Sequence, residues 1–427
     1  MMRAAARLAA CVIVIAAFAI PSAAATPLLF DGQADDGKEW TILVYWDSDN
    51  DLEPCADFAM GVWKEALTSD AEVNLIVFMD IISVEGTWIY DIHDGEAHEV
   101  EAWGELNCSD PLVFERFLDY GLANYPAEKT MLVMQDHGYA WRGLIRDETN
   151  GNRIMLMDDM GEAIRNATAR NGGVGVDILA LDACDVATIE VAYELRDTVG
   201  YLAASELFVP DDGLPYDMIL TAMVARPEVE PRELAHDMVD MYMEYYSSRT
   251  SVYEHMHPYD YDYMTFSAFD MSMMDGVGAA FSEMTALLEP LVADNAVAVQ
   301  AAWNHAFETV RQSFGGWEFV PSAYTLFADL RGIDPELDVA IDAFMGAFEA
   351  ALVNEWSSEK LGDAPTGLNI WFPPCLANYY SAAWEWAQLY VYEDIGLDLV
   401  DSSRWVECLM EYYSSAPGLQ ERPNQVA

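Results

Sequence analysis

The stretch VDILALDACDVATIEVAYE, residues 176–194, runs from a buried strand through a short polar end into a helical pattern. Val176–Leu181 is a short apolar run that predicts a strand buried on both faces. Apolar residues return at helical spacing from Val186. A buried strand that leads into a helix is the repeating unit of a parallel sheet covered on both sides.

Other apolar runs repeat this unit along the chain. Thr87–Ile92 follows its predecessor too closely for a helical crossover, so a local hairpin is predicted there. The sequence therefore predicts an α/β fold with a mostly parallel sheet flanked by helices. The predicted strands are Thr41–Trp46, Val73–Met79, Thr87–Ile92, Thr130–Met134, Val176–Leu181 and Tyr201–Ala204, with Tyr263–Phe269 and Leu368–Phe372 as runs that would extend the sheet.

Changes in composition divide the chain into four segments. Residues 1–25 have a basic start, an apolar run and small residues, which is typical of a cleaved signal peptide and predicts export without a stable membrane anchor. Residues 26–225 form the predicted α/β core. Residues 226–415 are predicted to be helix-rich and to pack on or extend that core, and residues 416–427 form a tail. The helical patterns in the third segment are Glu233–Tyr246, Met274–Leu288, Val297–Gln312 and Leu337–Glu355.

The charge of the chain is strongly unbalanced. It contains 73 acidic and 20 basic residues, for a net charge of −53. Nucleic acid is excluded as an expected partner, because binding phosphates requires a cationic surface. The acids are scattered rather than collected in a tail, so the folded surface itself must be acidic. Two interpretations remain open: a merely soluble acidic protein, or one suited to a salt-rich habitat.

The cysteine count suggests a free thiol. Removal of Cys11 with the signal peptide leaves five cysteines, and an odd number in an exported protein indicates pairs plus one unpaired thiol. Cys184 has the most chemically suggestive context. The remaining four allow three connectivities, of which Cys55–Cys108 with Cys375–Cys408 is the simplest.

Two predicted strand ends carry the residues of nucleophilic catalysis. TMLVMQDHGYAWRG, residues 130–143, places His137 after one strand, and Cys184 follows another, 47 positions later. Ligands of parallel sheets bind at the carboxyl ends of strands. A thiol paired with an imidazole can attack a carbonyl, and the N–H groups of Gly138 and Cys184 would form an oxyanion hole. The alternative is a small buried cysteine and a structural histidine.

Five segments, in this order, resemble the clostripain family of cysteine peptidases, which are relatives of caspases and gingipains. The two motifs above belong to this set. The likeness spans roughly residues 40–410. The segments are WTILVYWDSDNDLE (Trp40–Glu53), DHGYAWRG (residues 136–143), LDACDVATIEVAYEL (residues 181–195), AASELFVPDDGLPY (Ala203–Tyr216) and GLNIWFP (Gly367–Pro373).

The resemblance implies a caspase-like fold and a secreted cysteine endopeptidase that acts on polypeptides. It implies His137 as general base and Cys184 as nucleophile, forming an acyl-thioester. It also implies cleavage after Arg or Lys, and the acids Asp182, Asp211 and Asp212 would line such a substrate pocket. Asp185 departs from the family pattern, which implies an apolar residue after the nucleophile. A carboxylate at this position raises the thiol pKa. The alternative function is a catalytically silent, exported acidic binding protein that retains the fold.

No cofactor or metal is predicted. The alternative is calcium at Asp47-x-Asp49-x-Asp51-x-Glu53, which begins like an EF-hand loop but lacks its glycine and its bidentate glutamate. His255-x-His257 is a weaker candidate for a metal site. Finally, the exposed polar stretch at residues 142–153 predicts internal cleavage at Arg146 or Arg153, as in relatives processed between the histidine and the cysteine.

Overall fold

The computed structural model describes residues 37–68, 72–247, 263–311, 319–361, 367–380 and 391–415. The predicted signal peptide, the predicted tail and the His255-x-His257 candidate lie outside the described residues. Within the described part of the chain, no helix is long and apolar enough to cross a membrane.

Eleven strands form two sheets in the described residues. Nine belong to one large sheet with the order β11-β10-β9-β8-β5-β1-β2-β3-β4, and β6 pairs with β7 in a small antiparallel hairpin. The strands are β1 (Lys38–Ser48), β2 (Val73–Ile81), β3 (Val84–His93), β4 (Glu96–Gly104), β5 (Ala127–Gln135), β6 (Gly143–Asp147), β7 (Arg153–Leu156), β8 (Val176–Asp182), β9 (Val199–Ala204), β10 (Thr265–Asp270) and β11 (Leu352–Ser357).

The centre of the large sheet is parallel, as predicted. Strands β2, β1, β5, β8 and β9 are neighbours that all run in the same direction. Antiparallel strands complete both edges: β3 and β4 on one side, β10 and β11 on the other. The predicted hairpin between β2 and β3 is confirmed.

Helices cover both faces of the sheet, because each central strand buries both sets of its side chains. In β1, Leu43 and Tyr45 belong to one hydrophobic cluster, whereas Ile42 and Val44 belong to the other. The helices are α1 (Glu53–Ala66), α2 (Pro111–Asn124), α3 (Met157–Arg170), α4 (Ile189–Glu194), α5 (Tyr216–Ala225), α6 (Pro231–Ser247), α7 (Met274–Val292), α8 (Ala296–Arg311), α9 (Ala323–Ala328), α10 (Pro335–Ala351), α11 (Leu376–Tyr379), α12 (Asp398–Ser402) and α13 (Trp405–Ser415).

Two predictions for the C-terminal half were wrong. The expected helix Leu337–Glu355 ends at Ala351, and the chain continues as β11, which pairs with β10. Leu368–Phe372 is not a strand of the sheet. Its Asn369 instead forms isolated bridges with Thr188 and Ser322, which tie this buried segment to the start of α4 and of α9.

The predicted disulfides are absent, because all five cysteines of the described residues are free thiols. Cys55 and Cys108 belong to hydrophobic clusters on opposite faces of the sheet, which prevents their pairing. Cys375 and Cys408 share a cluster but have separate partners: Cys375 Sγ lies 2.8 Å from Asn378 Oδ1, and Cys408 Sγ lies 3.4 Å from the carbonyl of Thr285.

Candidate active site

The two predicted dyad residues follow neighbouring strands at the same edge of the sheet. Gln135, the last residue of β5, pairs with Asp182, the last residue of β8. His137 and Cys184 each lie two residues beyond this pair. A Cβ on Gly138 would come within 2.0 Å of the Cys184 carbonyl oxygen. Only glycine permits this approach, so the two strand ends are in direct backbone contact.

His137 and Cys184 line one pocket. The pocket contains about 450 Å³ of empty space, counting its open mouth. The sheet therefore brings the predicted nucleophile and the predicted base to a shared cavity. Its other lining residues are Trp46, Leu52, Cys55, Gln135, Asp136, Asp182, Ala183, Phe208, Val209, Pro210, Asp211 and Gly213.

The imidazole of His137 is held by a carboxylate that sequence reasoning assigned elsewhere. His137 Nε2 lies 2.8 Å from Asp51 Oδ1, in the turn after β1. An ionised carboxylate can only accept hydrogen bonds, so Nε2 carries a proton, and in the neutral imidazole Nδ1 therefore keeps its lone pair. Burial lowers the His137 pKa, but the hydrogen bond to Asp51 and the charge of Asp136 outweigh burial, and the pKa is raised overall. In turn, the hydrogen bond to His137 lowers the pKa of Asp51.

Asp136 is a buried residue of the pocket lining and joins three segments. Its carboxylate accepts hydrogen bonds from the backbone N–H of His137, from the N–H of Arg146 in β6, and from Asn50 Nδ2 at 2.8 Å. Burial raises the pKa of Asp136 to about 7, although the charge of His137 lowers it. Asp136 therefore fixes the backbone that presents His137.

The thiol of Cys184 is half-buried against the loop that follows β9. Its Sγ lies 3.4 Å from the backbone N–H of Val209 and 3.8 Å from the Val209 carbonyl. Burial raises the thiol pKa, and the charge of Asp185 raises it further, as the sequence predicted. Helix α4 begins only at Ile189, five residues later, so no helix terminus at Cys184 opposes these effects. Both effects disfavour the thiolate form of Cys184.

Two of the three predicted substrate-binding acids lie in the pocket. Asp182 is buried and accepts hydrogen bonds from the Tyr216 hydroxyl at 2.6 Å and the Leu214 N–H at 3.2 Å. Burial raises its pKa to about 6. Asp211 also lines the pocket, whereas Asp212 is absent from its lining. The Asp212 carboxylate instead accepts a hydrogen bond from Tyr245 at 2.9 Å.

Both predicted oxyanion-hole donors keep their N–H groups available. The isolated bridge between Gly138 and Leu144 is carried by the N–H of the next residue, Tyr139, which donates to Gly143. Within the described residues, neither the Gly138 N–H nor the Cys184 N–H donates a hydrogen bond to the protein. Two free amides beside the thiol are the kind of donors that stabilise an oxyanion.

The segment predicted to be cleaved forms the β6–β7 hairpin. Arg146 is half-buried within β6, where its Nε donates to Asn152 Oδ1 at 2.7 Å and its guanidinium pairs with Glu148 at 3.0 Å. Arg153 is exposed at the first position of β7, directly after the turn 148–152. The hairpin therefore exposes Arg153 to solvent, whereas it leaves Arg146 half-buried.

Comparison with known proteins identifies the family of the chain. Residues 44–331, more than half of the chain, match the clostripain family of C11 peptidases. The chain belongs to the clostripain family. Clostripain of Hathewaya histolytica is 29% identical to it over 228 residues, which are 43% of this chain and 42% of clostripain. The chain thus matches less than half of the length of that curated relative.

Solved clostripain-family structures share the fold. A secreted C11 cysteine protease from Bacteroides thetaiotaomicron, bound to an irreversible peptide inhibitor, aligns with a TM-score of 0.62 and 17% identity over 86% of this chain and 99% of that one. An inactive zymogen of a C11 protease from Parabacteroides distasonis aligns with a TM-score of 0.54 and 16% identity over 78% and 92%. The predicted caspase-like α/β fold is therefore confirmed.

Sequence reasoning missed two residues of this clostripain-family site, Asp51 and Asp136. The sequence predicts Asp51 only as an alternative calcium ligand, and it offers Asp136 only as part of the motif at residues 136–143. The available signal was position: both follow strands that are neighbours in the sheet, β1 and β5. Acidic residues after adjacent parallel strands meet at one edge, and an imidazole at that edge is their natural partner.

Proposed function

We propose that this clostripain-family chain is an exported cysteine endopeptidase in which Cys184 attacks the scissile carbonyl and His137 transfers the protons. The observation that carries the proposal is the shared pocket, where the glycine after His137 packs against the Cys184 backbone. The order of the strands brings a thiol and an imidazole together there, and acyl transfer requires both.

The raised thiol pKa determines the order of proton transfer. Since burial and Asp185 raise the thiol pKa, we infer that Cys184 loses its proton as it attacks. His137 accepts that proton at Nδ1, because Asp51 holds the proton at Nε2. The imidazolium then gives its proton to the leaving amine, which releases the first product and leaves an acyl-thioester on Cys184. His137 next activates a water that hydrolyses the thioester and restores the thiol.

The tetrahedral intermediates place negative charge on the carbonyl oxygen. The N–H groups of Gly138 and Cys184 are the donors that we assign to it. Donors fixed in advance by the backbone cost no reorganisation when charge develops. The glycine is needed at this position because any side chain would collide with the Cys184 carbonyl.

Acidic residues in the pocket favour a cationic substrate side chain. We assign to Asp182 and Asp211 the recognition of the substrate side chain, since both lie in the pocket with the dyad. They would favour cleavage after Arg and, to a lesser degree, after Lys. A guanidinium can bind a carboxylate through two parallel hydrogen bonds, whereas an ammonium binds as a point charge. Asp212 is assigned no direct contact with substrate, since its carboxylate faces Tyr245.

Export is assigned to the basic and apolar residues 1–25, with cleavage near Ala25. The mature chain then acts on polypeptides outside the cytoplasm. N-terminal sequencing of protein recovered from the culture medium tests this assignment. A secreted chain that begins before residue 20 would contradict it.

The decisive test of the nucleophile is Cys184→Ala. We expect activity on fluorogenic Arg peptides to disappear with little change in melting temperature, because the side chain is only half-buried and alanine keeps its Cβ. Cys375→Ala is the matched control, since Cys375 does not line the pocket and its removal leaves the dyad intact. A Cys184→Ala protein that keeps more than a few per cent of wild-type activity would place the nucleophile elsewhere.

A catalytically silent binding protein that retains the fold is the competing function, and the raised pKa of the Cys184 thiol is the observation behind it. Burial and Asp185 both suppress the thiolate form of Cys184. Labelling with iodoacetamide separates the two functions. An endopeptidase should lose one thiol and all activity when native protein is labelled, with protection by an Arg peptide aldehyde. A silent relative should show no protection and no turnover.

A further inference from the structure

The segment Gly367–Pro373 is buried beside the active site, yet none of its residues lines the pocket. It is hydrogen-bonded to two stretches of chain next to Cys184. One is the nucleophile turn (residues 185–189), which directly follows the cysteine. The other is the pocket loop (residues 205–211), which follows β9. A buried segment in this position can orient the nucleophile without touching it.

Asn369 is the residue of this segment that joins both stretches. Its backbone N–H donates to the Ala187 carbonyl at 2.9 Å, and its carbonyl accepts from the N–H of Ile189 at 2.8 Å. Its side-chain Nδ2 donates to the Glu206 carbonyl at 2.6 Å. The backbone of Asn369 therefore holds the nucleophile turn, whereas its side chain holds the pocket loop.

The nucleophile turn and the pocket loop are also bonded directly to each other. The N–H groups of Asp185 and Ala187 donate to the carbonyls of Leu207 and Ser205, each at 2.9 Å. The residue between these two acceptors, Glu206, is the one that receives the side-chain hydrogen bond described above. The pocket loop is thus held by two neighbours, one of which carries the nucleophile.

The pocket loop brings a hydrogen-bond donor to the nucleophile. The backbone N–H of Val209 lies 3.4 Å from Cys184 Sγ. Burial raises the pKa of the thiol most, and the charges of Asp185, Asp182 and Asp211 raise it further, whereas the N–H of Val209 lowers it. The position of this loop therefore affects how readily the sulfur ionises.

The side chain of Asn369 is buried under unfavourable conditions for an amide. It is 0% exposed, and its Oδ1 accepts no hydrogen bond in the described part of the chain. A buried carbonyl oxygen without a donor is destabilising, and an apolar side chain of the same shape would avoid it. The Nδ2 donor is therefore the property of Asn369 that leucine could not supply.

We propose that Asn369 is a positioning residue for the nucleophile, whose side chain holds the pocket loop so that the N–H of Val209 stays within hydrogen-bond distance of Cys184 Sγ. This inference rests on the proposed function, in which Cys184 attacks the substrate. Without the side-chain hydrogen bond the loop can move away, and the sulfur then loses a donor that favours its ionised, attacking form. The acids around the sulfur would oppose ionisation with less compensation.

The test must change the N–H of Val209 without changing the charges that face the sulfur. The titratable groups around it are His137, Asp136, Asp182, Asp211, Cys55 and, in the nucleophile turn, Asp185. A substitution of Asn369 leaves all of these groups in place. A change in the ionisation of Cys184 then reports the position of the pocket loop.

The variants are made in the full mature chain. Asn369→Leu keeps the shape of the side chain and removes its donor, and Asn369→Ala removes the same donor if leucine does not fit. Tyr413→Phe is the matched control. It also removes one buried side-chain hydrogen bond to the same segment, from the Tyr413 hydroxyl to the Pro373 carbonyl at 2.7 Å, and neither residue lines the pocket.

The readout is the rate at which iodoacetamide alkylates Cys184 between pH 6 and 10, followed by mass analysis of the peptide that carries this residue. Loss of a hydrogen bond to the ionised sulfur raises the thiol pKa, so less thiolate is present at a given pH. We expect both Asn369 variants to react about threefold more slowly or less, a displacement of the pH profile by about half a unit to higher pH. Tyr413→Phe should lower the melting temperature but leave the profile unchanged.

The direction of the change decides the outcome. Faster alkylation in the Asn369 variants would overturn the proposal, because a loop that is only loosened exposes the sulfur. Rates equal to those of Tyr413→Phe would overturn it as well. Alkylation requires no peptidase turnover, so slower alkylation in a protein that cleaves no peptide would contradict the proposed function and support the role of Asn369. An active enzyme with an unchanged profile would contradict only the role of Asn369.

Discussion

At the scale of single residues, burial controls the ionisation of the site. Burial makes the Cys184 thiol harder to ionise, and the same effect raises the pKa of Asp136 to about 7. His137 shows the opposite balance, because Asp51 and Asp136 raise its pKa despite burial. A thiol that resists ionisation beside a strengthened base favours an attacking thiolate that forms during the reaction rather than before it.

Asp51→Asn tests this role of the carboxylate. The amide cannot hold a proton on Nε2 as strongly, so His137 should be a weaker general base. We therefore expect kcat to fall by about tenfold or more. Loss of the carboxylate also lowers the His137 pKa, and the acid limb of the kcat/KM profile should move to lower pH. Stopped-flow or fluorogenic assays from pH 5 to 9 measure both effects. A lower rate without a shift of the acid limb of the kcat/KM profile would show that Asp51 has only a structural role.

Asp182→Asn tests the specificity of the pocket. For Arg substrates, loss of the charge should cost about 1.5–3 kcal/mol of transition-state stabilisation, the range of a charge-assisted hydrogen bond. For Leu substrates the cost should be much smaller. Asp212→Asn is the matched control, because that acid follows Asp211 in the loop after β9 but lies outside the pocket. Equal losses for Arg and Leu substrates, or equal losses in both variants, would contradict the assignment.

At the scale of elements, the β6–β7 hairpin is the segment in which a cut would change the site most. It lies between the dyad residues in sequence and borders them in space, through the contact of Arg146 with Asp136. A cut after Arg153 requires little unfolding, because that residue is exposed at the edge of the turn. A cut after Arg146 would require β6 to leave its partners.

Internal cleavage is therefore predicted after Arg153 rather than after Arg146. Intact-mass analysis of wild-type protein should show two fragments joined only by non-covalent contacts. If the cleavage is autocatalytic, the Cys184→Ala protein should remain one chain. Arg153→Gln should block the cleavage, whereas Arg146→Gln should not. Active wild-type enzyme that consists of one uncut mature chain would contradict the prediction.

At the scale of the whole molecule, net charge is the dominant feature. A compact chain with 73 acids and 20 bases repels itself, and its ion pairs can neutralise only a minority of the acids. Several surface arginines each bind two carboxylates, for example Arg170 with Glu115 and Asp119. Mobile counterions must therefore screen most of the surface.

Stability should accordingly rise with salt. Between 0.1 M and 1 M NaCl the screening length falls from about 10 Å to about 3 Å, which weakens the repulsion between neighbouring acids. The melting temperature of the Cys184→Ala protein should increase over this range. Sucrose of equal osmolality is the control for general exclusion effects. A melting temperature that stays flat or falls with NaCl would favour an acidic surface adapted only for solubility.

The sequence alone determined the parallel centre of the fold and the two strand ends that carry His137 and Cys184. Buried strands and the helices after them are local patterns, and the carboxyl ends of neighbouring parallel strands share one edge. Long-range contacts decided the rest. Residues 352–357 continue a helical pattern but become β11, because β10 offers an unpaired edge.

The partners of the acidic residues were also decided only by the tertiary structure. Asp49 and Asp51 are two positions apart in the sequence, yet one reaches Asp80 and Glu105 while the other reaches His137. Likewise, the count of cysteines favoured disulfides, but the sheet separates Cys55 from Cys108. Spacing along the chain defines which residues are available, whereas the order of strands in the sheet defines which of them meet.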